Sequence, residues 1–281
     1  MKVRVISKLY FLVKDLISII FPKFLLTKLT FLLSRINFYR EIKISEKIIF
    51  FYIPNNLVDW RVKTLFSKEP DTLDWINGFK SNEIFWDVGA NIGIYSVYAA
   101  SKINMQVISF ECSMNNLRVL SKNISINNFQ NNIKLFQLPL LDKKNIFMTM
   151  NERYDIEGAA HNSFGMNLDD VGNKFKPLTN YKIFGTSINN ILDEKILELP
   201  NHIKIDVDGF EHKILAGADK YLNSSSIKSI LVEVNENYFE QYTEIIRIMN
   251  KANFIIKKKS FLNLKKYNYI FCKDDLNSGC N

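Results

Sequence analysis

The stretch IFWDVGANIGIYSVYAA, residues 84–100, contains the pattern that decides the fold. Its first residues are mostly apolar and predict a buried strand, the glycines that follow predict a tight turn, and the apolar residues after Gly93 predict a helix. Further strand-then-helix patterns occupy residues 106–127, 202–222 and 229–252. Strands that alternate with helices of about 10 to 15 residues form a largely parallel sheet covered on both faces, so the predicted fold class is α/β.

The end of the chain departs from this alternation. Two strand-like stretches, FIIKKKS at 254–260 and YNYIFCK at 267–273, follow each other with only FLNLKK between them. This connection is too short for the crossover that joins parallel strands. We therefore predict an antiparallel hairpin at the C-terminal edge of the sheet.

Residues 1–45 differ from the rest of the chain in charge. They contain nine lysines and arginines against two acids, whereas the whole chain has a net charge of +8. Polar residues follow one helical stripe before Pro22 and a similar stripe after it, which predicts two short amphipathic helices. We therefore divide the chain into a basic helical extension, residues 1–45, and a domain of residues 46–281. Charges interrupt the extension too often for a transmembrane span or a signal peptide.

Two roles for this extension stay open. It can cap the domain or pack on a second subunit in a homo-oligomer, or it can rest on an anionic membrane surface. The remaining domain is nearly neutral, so we expect no nucleic-acid partner. The cysteines, Cys112, Cys272 and Cys280, have no disulfide or zinc spacing, which indicates a reducing, cytoplasmic compartment.

Acidic residues lie at the predicted carboxyl ends of the strands, where open α/β sheets bind ligands. The turn Gly89–Asn91–Gly93 lacks the middle glycine of the dinucleotide pattern G-x-G-x-x-G, and Asp87 before it would repel a pyrophosphate. Asp87 suits a cofactor with a cationic amine. Glu111 ends the next strand, 22 residues after Gly89, where an acid accepts hydrogen bonds from a ribose. Together they indicate S-adenosylmethionine, unless the glycines only form a turn and the acids are only solvated.

A second polar strand end lies in HIKIDVDGFEHKILAGA, residues 202–218. Asp206 and Asp208 share a face if the strand continues, and Glu211 begins a helix, whose dipole favours its charge. The acids can orient a hydroxyl substrate or hold a cation with oxygen ligands, and we assign no metal. The simpler alternative is that Asp208 only caps the helix and Glu211 only complements its dipole.

Several stretches, in order, resemble the motifs of FkbM-type S-adenosylmethionine-dependent methyltransferases. They are SKEPDTLDWI, FWDVGANIGIYSVYAA, ISFECSMNNLRVLSKNISIN, HIKIDVDGFEHKILAGA and SILVEVNE, and the resemblance covers roughly residues 48–235. The resemblance implies a class I methyltransferase fold, with a Rossmann-like, mostly parallel sheet of seven strands. It also implies methyl transfer from S-adenosylmethionine to a hydroxyl, often of a sugar in glycan or natural-product assembly.

The resemblance implies roles for individual residues. The cofactor-binding residues, from the methionine end to the adenosine, are Asp87, Gly89, Asn91, Gly93, Glu111, Ser113, Asn115 and Asp142. Two departures from the family pattern are visible. Cys112 replaces the usual proline after the ribose acid, and QLPLLD, residues 137–142, replaces an Ala-Leu-Ser-Asp string.

A sugar hydroxyl is a weak nucleophile that benefits from a general base. Residues 142–186 have a less regular pattern and should cover the acceptor. His161 is the predicted base because it lies in a polar loop of this irregular stretch, and Asp206 is the alternative base. His202 begins a strand at the opposite edge of the sheet and is predicted to be structural. The acceptor is expected to contact polar residues that follow the strand of Asp206: Asp208, Glu211 and His212.

Other functions stay open at this point. An N-methyltransferase acting on an amino sugar would use the same fold and cofactor. An NAD-type oxidoreductase would require the pyrophosphate loop that this sequence lacks. A non-catalytic scaffold that kept the fold would predict loss of the cofactor acids, yet Asp87, Glu111 and Asp206 are all present.

Overall fold

The computed structural model describes residues 37–165 and 173–273, together with Lys28. Its contacts divide the chain into two units, Met1–Phe38 and Tyr39–Asn281. We predicted a helical extension over residues 1–45. Residues 1–36 of it, except Lys28, lie outside the described residues. Its last residues are described and are not helical, because Tyr39–Ile44 form a strand. The alternation of polar and apolar residues in YREIKI has the period of a strand, and this pattern was overlooked.

The described residues form twelve strands and eight helices. The strands are β1 (Tyr39–Ile44), β2 (Lys47–Tyr52), β3 (Ile84–Val88), β4 (Gln106–Phe110), β5 (Ile133–Phe136), β6 (Ile146–Glu152), β7 (Ser163–Phe164), β8 (Thr179–Gly185), β9 (His202–Ile205), β10 (Ser229–Asn235), β11 (Phe254–Asn263) and β12 (Lys266–Lys273). The helices are α1 (Asn56–Lys63), α2 (Pro70–Asn77), α3 (Ile94–Ile103), α4 (Met114–Ile126), α5 (Ile188–Asp193), α6 (Glu211–Ala216), α7 (Asp219–Leu222) and α8 (Phe239–Lys251). None of the described helices is long and apolar enough to cross a bilayer.

Seven strands form the central sheet in the order β11–β12–β10–β9–β3–β4–β5. Strand β12 is antiparallel to its neighbours β10 and β11, and the remaining pairs are parallel. This confirms the predicted class I methyltransferase sheet with its antiparallel C-terminal hairpin. From β3 the chain runs outward through β4 and β5, then returns to β9 on the other side of β3. The carboxyl ends of β3, β4 and β9 therefore border a topological switch point, where open sheets bind ligands.

Both faces of the sheet are buried at its central strand β3. In β3, Phe85 packs in a cluster with residues of α1 to α4, whereas Trp86 and Val88 pack in a cluster with residues of α5, α6 and α8. Phe85 and Trp86 are both fully buried. A parallel strand covered on both faces appears in sequence as a continuous apolar run, which is why this strand was predictable.

The irregular stretch that follows β5 forms a second, smaller sheet in the order β7–β6–β8. Strands β6 and β8 pair antiparallel, from Ile146 opposite Gly185 to Glu152 opposite Thr179. Strand β7 pairs with the end of β6. Residues of β6 and β7 border the carboxyl edge of the central sheet, as described below.

His202 lies at the amino end of β9, away from the ligand edge. Its ring stacks on Phe79 with 3.7 Å between ring centroids, and Nε2 lies 2.8 Å from a carboxylate oxygen of Glu83. Nδ1 lies 2.7 Å from the hydroxyl of Ser229, which accepts a hydrogen bond from Trp75 Nε1. The serine hydroxyl therefore donates to Nδ1, and Nε2–H donates to Glu83. This network agrees with the structural role predicted for His202.

We expect replacement of His202 by Asn to flatten the dependence of stability on pH. Burial lowers the pKa of His202, so the folded protein keeps the ring neutral while the unfolded chain binds a proton near pH 6.5. The unfolded state then binds more protons, so this contribution to stability is present above the unfolded pKa and is lost as the pH falls below it. Urea unfolding between about pH 8 and about pH 5.5 should show a smaller fall in the variant. If the unfolding free energies of the wild type and the variant fall equally with pH, His202 is not the group that causes the fall.

Candidate functional site

Two cavities lie at the carboxyl ends of β3, β4 and β9 and share one wall. Five residues form this wall: Gly89, Asn91, Ala160, Asp206 and Asp208. The first cavity extends past β4 toward the small sheet. The second extends toward α1 and the β11–β12 hairpin and is lined mainly by charged and aromatic side chains.

The turn between β3 and α3 forms part of the shared wall. Gly89, Asn91 and Gly93 all have positive φ angles, of 82°, 53° and 81°. A Cβ atom on Gly89 would lie 1.9 Å from the carbonyl oxygen of Asp206, so only glycine allows the turn to approach the end of β9. A Cβ atom on Gly93 would lie 2.1 Å from Leu120 of α4, so Gly93 serves packing and lines neither cavity.

Asp87 lies behind this turn and lines neither cavity. Its carboxylate is fully buried and accepts a 2.5 Å hydrogen bond from the hydroxyl of Ser96. Among the described residues, the other carboxylate oxygen has no hydrogen-bond partner. Burial raises the pKa of Asp87, against the opposing effect of the Lys204 ammonium. The structure thus places Asp87 beneath the cofactor turn, not on the surface of either cavity.

Glu111 lines the first cavity, as expected for a ribose-binding acid. Its two oxygens each accept a 2.7 Å hydrogen bond from a backbone N–H, one from Ser113 and one from Asn91. Burial raises the pKa of this carboxyl to about 7, against the effect of these backbone donors. The fixed carboxylate borders the first cavity, where it can accept hydrogen bonds from two vicinal hydroxyls.

The start of α4 contributes a residue other than the two predicted. Ser113 is the N-cap, and Asn115 donates a 3.0 Å hydrogen bond to Asp155; neither lines a cavity. Asn116 lines the first cavity and holds the loop opposite, because it accepts from Gly158 N–H at 2.8 Å and donates to the carbonyl of Ala159 at 3.0 Å. The sequence did not predict Asn116, because the direction in which its side chain points depends on the residue at which α4 begins.

The first cavity is otherwise largely apolar. Its apolar lining comes from both sheets, the β5–β6 connection, the β9–α6 loop and α6: Phe110, Leu138, Leu140, Met150, Phe164, Phe210 and Ile214. The stretch QLPLLD thus contributes apolar side chains where the family pattern is polar. Asp142, the predicted match at its end, is exposed and lines neither cavity. A slot of this composition suits the flat face of a nucleobase.

Asp206 lies in the shared wall, as a predicted site residue should. Its carboxylate accepts a 2.8 Å hydrogen bond from Nζ of Lys204, a side chain that is almost fully buried in the same strand edge. Burial alone would raise the pKa of Asp206, but the Lys204 ammonium outweighs it and the pKa is lowered. The wall between the two cavities therefore contains an ionised carboxylate.

His161 and Asp208 meet at the second cavity. The backbone N–H of His161 donates a 2.6 Å hydrogen bond to one oxygen of Asp208, and its Nδ1 lies 3.4 Å from the other. Both residues have positive φ angles, of 63° and 60°. The imidazole is 42% exposed, so it can reach a bound molecule. The structure thus joins the predicted base to a predicted acceptor-binding residue.

The remaining two predicted acceptor residues do not line either cavity. Glu211 is buried and accepts hydrogen bonds from the backbone N–H groups of Val207 and Gly209 at 3.0 Å, so it closes its own β9–α6 loop. Burial raises its pKa to about 7. His212 is half-buried beside Tyr238, with 6.3 Å between ring centroids. Helix α6 begins at Glu211, so the side chains of Glu211 and His212 point away from the sheet edge.

The second cavity contains charged residues that sequence patterns did not assign. Four acids and four bases line it: Glu69, Asp206, Asp208 and Glu233, with Arg61, Lys68, Lys204 and Lys266. Trp60 and Tyr95 add aromatic faces. Burial and the charges of Asp206 and Asp208 raise the pKa of Glu233 well above its usual value. Within the described ranges, no group of three or more His, Cys, Asp or Glu side chains could hold a metal ion.

The family model of the FkbM methyltransferase domain matches residues 87–256. The chain belongs to the FkbM methyltransferase family. The match covers more than half of the chain and includes the β3–α3 turn, Glu111 and the β9 strand end. A search of curated proteins found no match.

Several solved structures are similar to the chain. The FkbM methyltransferase of Methylobacillus flagellatus KT is 17% identical with a TM-score of 0.47, over 69% of this chain and 44% of that one. A precorrin-6y C5,15-methyltransferase of Geobacter metallireducens GS-15 is 13% identical with a TM-score of 0.45, over 75% and 92% of the chains. M. capricolum TrmK in complex with S-adenosyl-homocysteine is 10% identical with a TM-score of 0.43, over 72% and 68%. The chain thus spans less than half of the first of these structures.

The residues at the sheet edge fit the S-adenosylmethionine that methyltransferases of this fold use. Glu111 can hold the ribose diol, and the apolar slot beyond it can hold the adenine. The ionised Asp206 in the shared wall is complementary to the cationic end of the cofactor. Because Gly89 has no Cβ, the turn lies against the end of β9, and its backbone borders the cofactor site.

Proposed function

We propose that the protein transfers the methyl group of S-adenosylmethionine to a hydroxyl, most simply that of a sugar in a surface glycan or natural product. The observation that carries this proposal is the wall shared by the two cavities. One side has the lining of a nucleoside site, and the other is a polar cavity with a histidine beside an acid. A methyl donor and a hydroxyl acceptor can therefore meet across Gly89 and Asp206, as in-line transfer requires.

The charges of the second cavity favour oxygen over nitrogen as the acceptor atom. Its four acids face four bases, and the raised pKa of Glu233 reduces the negative charge further. An amino sugar carries an ammonium group, which needs a net negative site. A neutral polyol needs many hydrogen-bond donors and acceptors and no negative site, and this lining provides them. The aromatic faces of Trp60 and Tyr95 can pack against the apolar face of a sugar ring.

The chain's own residues provide the acid–base chemistry. When bound, the cofactor supplies an electrophilic methyl group. His161 accepts the proton of the acceptor hydroxyl at Nε2, while Asp208 fixes the backbone of His161 and lies near Nδ1. Asp206 is kept ionised by Lys204, so it is a weaker base and serves to hold the cationic end of the donor. We therefore place His161 as the general base and Asp206 as a binding residue.

Replacement of His161 by Ala should lower the rate of methyl transfer by about 10²- to 10⁴-fold, as loss of a general base does. The acid limb of the rate–pH profile, which reports the base, should disappear in the variant. Binding of S-adenosylmethionine, measured by calorimetry, should be unchanged. His212→Ala is the matched control, since His212 lines neither cavity. A variant that keeps wild-type turnover at every pH removes His161 from the mechanism.

The proposal is tested by a transfer assay with methyl-labelled S-adenosylmethionine. Neutral oligosaccharides, nucleotide sugars and the corresponding amino sugars are offered in parallel, and the product is identified by mass spectrometry. A methyl ether on a neutral sugar is the expected product. A methylamine as the sole product would establish the N-methyltransferase instead. A protein that binds the cofactor but methylates neither class would overturn the proposed acceptor.

A further inference from the structure

The β11–β12 hairpin exposes large apolar side chains to solvent. At its tip, Phe261 is 66% exposed and Leu264 is 84% exposed. Ile255 and Ile256, at the other end of β11, are also about half exposed. Strand β11 is the edge of the central sheet, so no further strand of the described residues covers it. Phe261 and Leu264 are three residues apart at one tip, and an exposed apolar patch marks an interaction surface.

Lysines surround these apolar side chains. Residues 254–266 contain five lysines and no acidic residue. Lys258, Lys259 and Lys266 form salt bridges with acids of neighbouring elements, with Asp71 and Glu236 at 2.5 Å and with Glu233 at 3.7 Å. Five lysines against these three acids leave the hairpin with a positive excess. Lysines on an edge strand also discourage pairing with other strands. That role explains the lysines and leaves the exposed Phe261 and Leu264 unexplained.

The turn of the hairpin holds its leucine in an unfavourable conformation. Leu264 has a φ of 37° and Lys265 a φ of 64°, where glycine or asparagine is usual. A leucine is therefore strained and exposed at the same position. Local strain that persists in a fold points to a functional demand on that residue.

We propose that the tip of this hairpin docks on an anionic membrane surface. Phe261 and Leu264 would enter the interfacial region, and the exposed lysines of the hairpin would lie among the phospholipid headgroups. A second copy of the chain is a poorer occupant, because a symmetric contact would bring the lysines of two hairpins together. The hairpin is distinct from the basic segment of residues 1–45, which sequence analysis associated with membranes.

This docking would place the acceptor cavity at the membrane. Asn263 and Lys266 of the hairpin line the second cavity, so the hairpin tip borders its opening. A sugar attached to a lipid carrier would then reach His161 from the bilayer surface. This assignment of the acceptor as a lipid-linked glycan rests on the proposed function, whereas the docking itself does not.

A local reporter tests the docking in the full chain. Leu264→Trp is mixed with phosphatidylglycerol vesicles or phosphatidylcholine vesicles that contain brominated lipids, and quenching is measured relative to the unsubstituted protein. Phe147→Trp, on the small sheet and 69% exposed in the wild type, is the matched control. We expect strong, salt-sensitive quenching at position 264 by the anionic vesicles and little at position 147. Absence of quenching at 264, or a concentration-dependent blue shift without vesicles that indicates self-association, would overturn the proposal.

A second variant separates docking from catalysis. Phe261→Ser/Leu264→Ser should reduce methyl transfer to a lipid-linked acceptor in vesicles by roughly tenfold or more and leave transfer to the soluble fragment unchanged. An equal loss for both acceptors would contradict the membrane role. Quenching at position 264 without transfer to any acceptor would instead remove the proposed function and keep the docking.

Discussion

Glu111→Gln is expected to weaken S-adenosylmethionine binding by about 100-fold, which corresponds to about 2.7 kcal/mol. The variant loses the charge of the group that would accept both ribose hydroxyls, and hydrogen bonds to charged groups contribute about 1.5–3 kcal/mol each. In the variant, an amide NH₂ would also face one of the two backbone N–H groups that now donate to the carboxylate, and two donors cannot bond to each other. Calorimetric titration of the cofactor measures the effect.

The matched control for this variant is Asn115→Ala. Asn115 was predicted beside the adenosine, but it bonds to Asp155 and lines neither cavity. We therefore expect wild-type affinity from it, together with a wild-type unfolding transition. If Glu111→Gln binds the cofactor within about twofold of the wild type, the ribose site lies elsewhere.

Gly89→Ala is expected to abolish cofactor binding and to lower the free energy of unfolding by roughly 3 kcal/mol or more. The added Cβ would lie 1.9 Å from the carbonyl oxygen of Asp206, and the φ of 82° disfavours any residue with a Cβ. The clash is with backbone, so it can be relieved only by moving the turn away from β9. That movement displaces the wall that both cavities share.

Gly78→Ala is the control for Gly89→Ala, because it replaces a glycine by alanine at a position that has space for a Cβ. At Gly78 a Cβ would find its nearest neighbour 3.4 Å away, at the carbonyl oxygen of Trp75, and the backbone is in the right-handed region. Its unfolding free energy should stay within about 1 kcal/mol of the wild type, with cofactor affinity unchanged. Thermal unfolding and calorimetry together compare the two variants. Wild-type cofactor affinity in Gly89→Ala would mean that this turn does not shape the site.

The parts of the site that were predictable from sequence are those encoded locally. The strand, turn and helix around Gly89 lie within 17 residues, and Glu111 follows at the end of the next parallel strand. Parallel strands bring their carboxyl ends to one edge, so the position of both residues in the sheet follows from the alternation of strands and helices. The pairing of His161 with Asp208 did not follow, because it depends on a loop that approaches β9 from the small sheet.

The residues that were misplaced or missed depend on helix register and on distant contacts. Asn116 lines the first cavity and Asn115 does not, a difference of one residue on helix α4, which begins at Met114. Glu211 has the charge of an acceptor-binding residue, but its own backbone loop uses its oxygens. The residues of α1 and of the α1–α2 connection that line the second cavity lie far from β9 in sequence. Lys204 did carry a signal, since a lysine within a buried strand needs a partner.

The central claim is that the first cavity binds S-adenosylmethionine. Its most direct test is calorimetric titration of S-adenosylmethionine into the full-length protein, with NAD titrated in parallel. The structure predicts saturable binding of one S-adenosylmethionine per chain, competition by S-adenosyl-homocysteine, and no binding of NAD. Absence of S-adenosylmethionine binding by a folded protein, or competition for the same site by NAD, would contradict the claim.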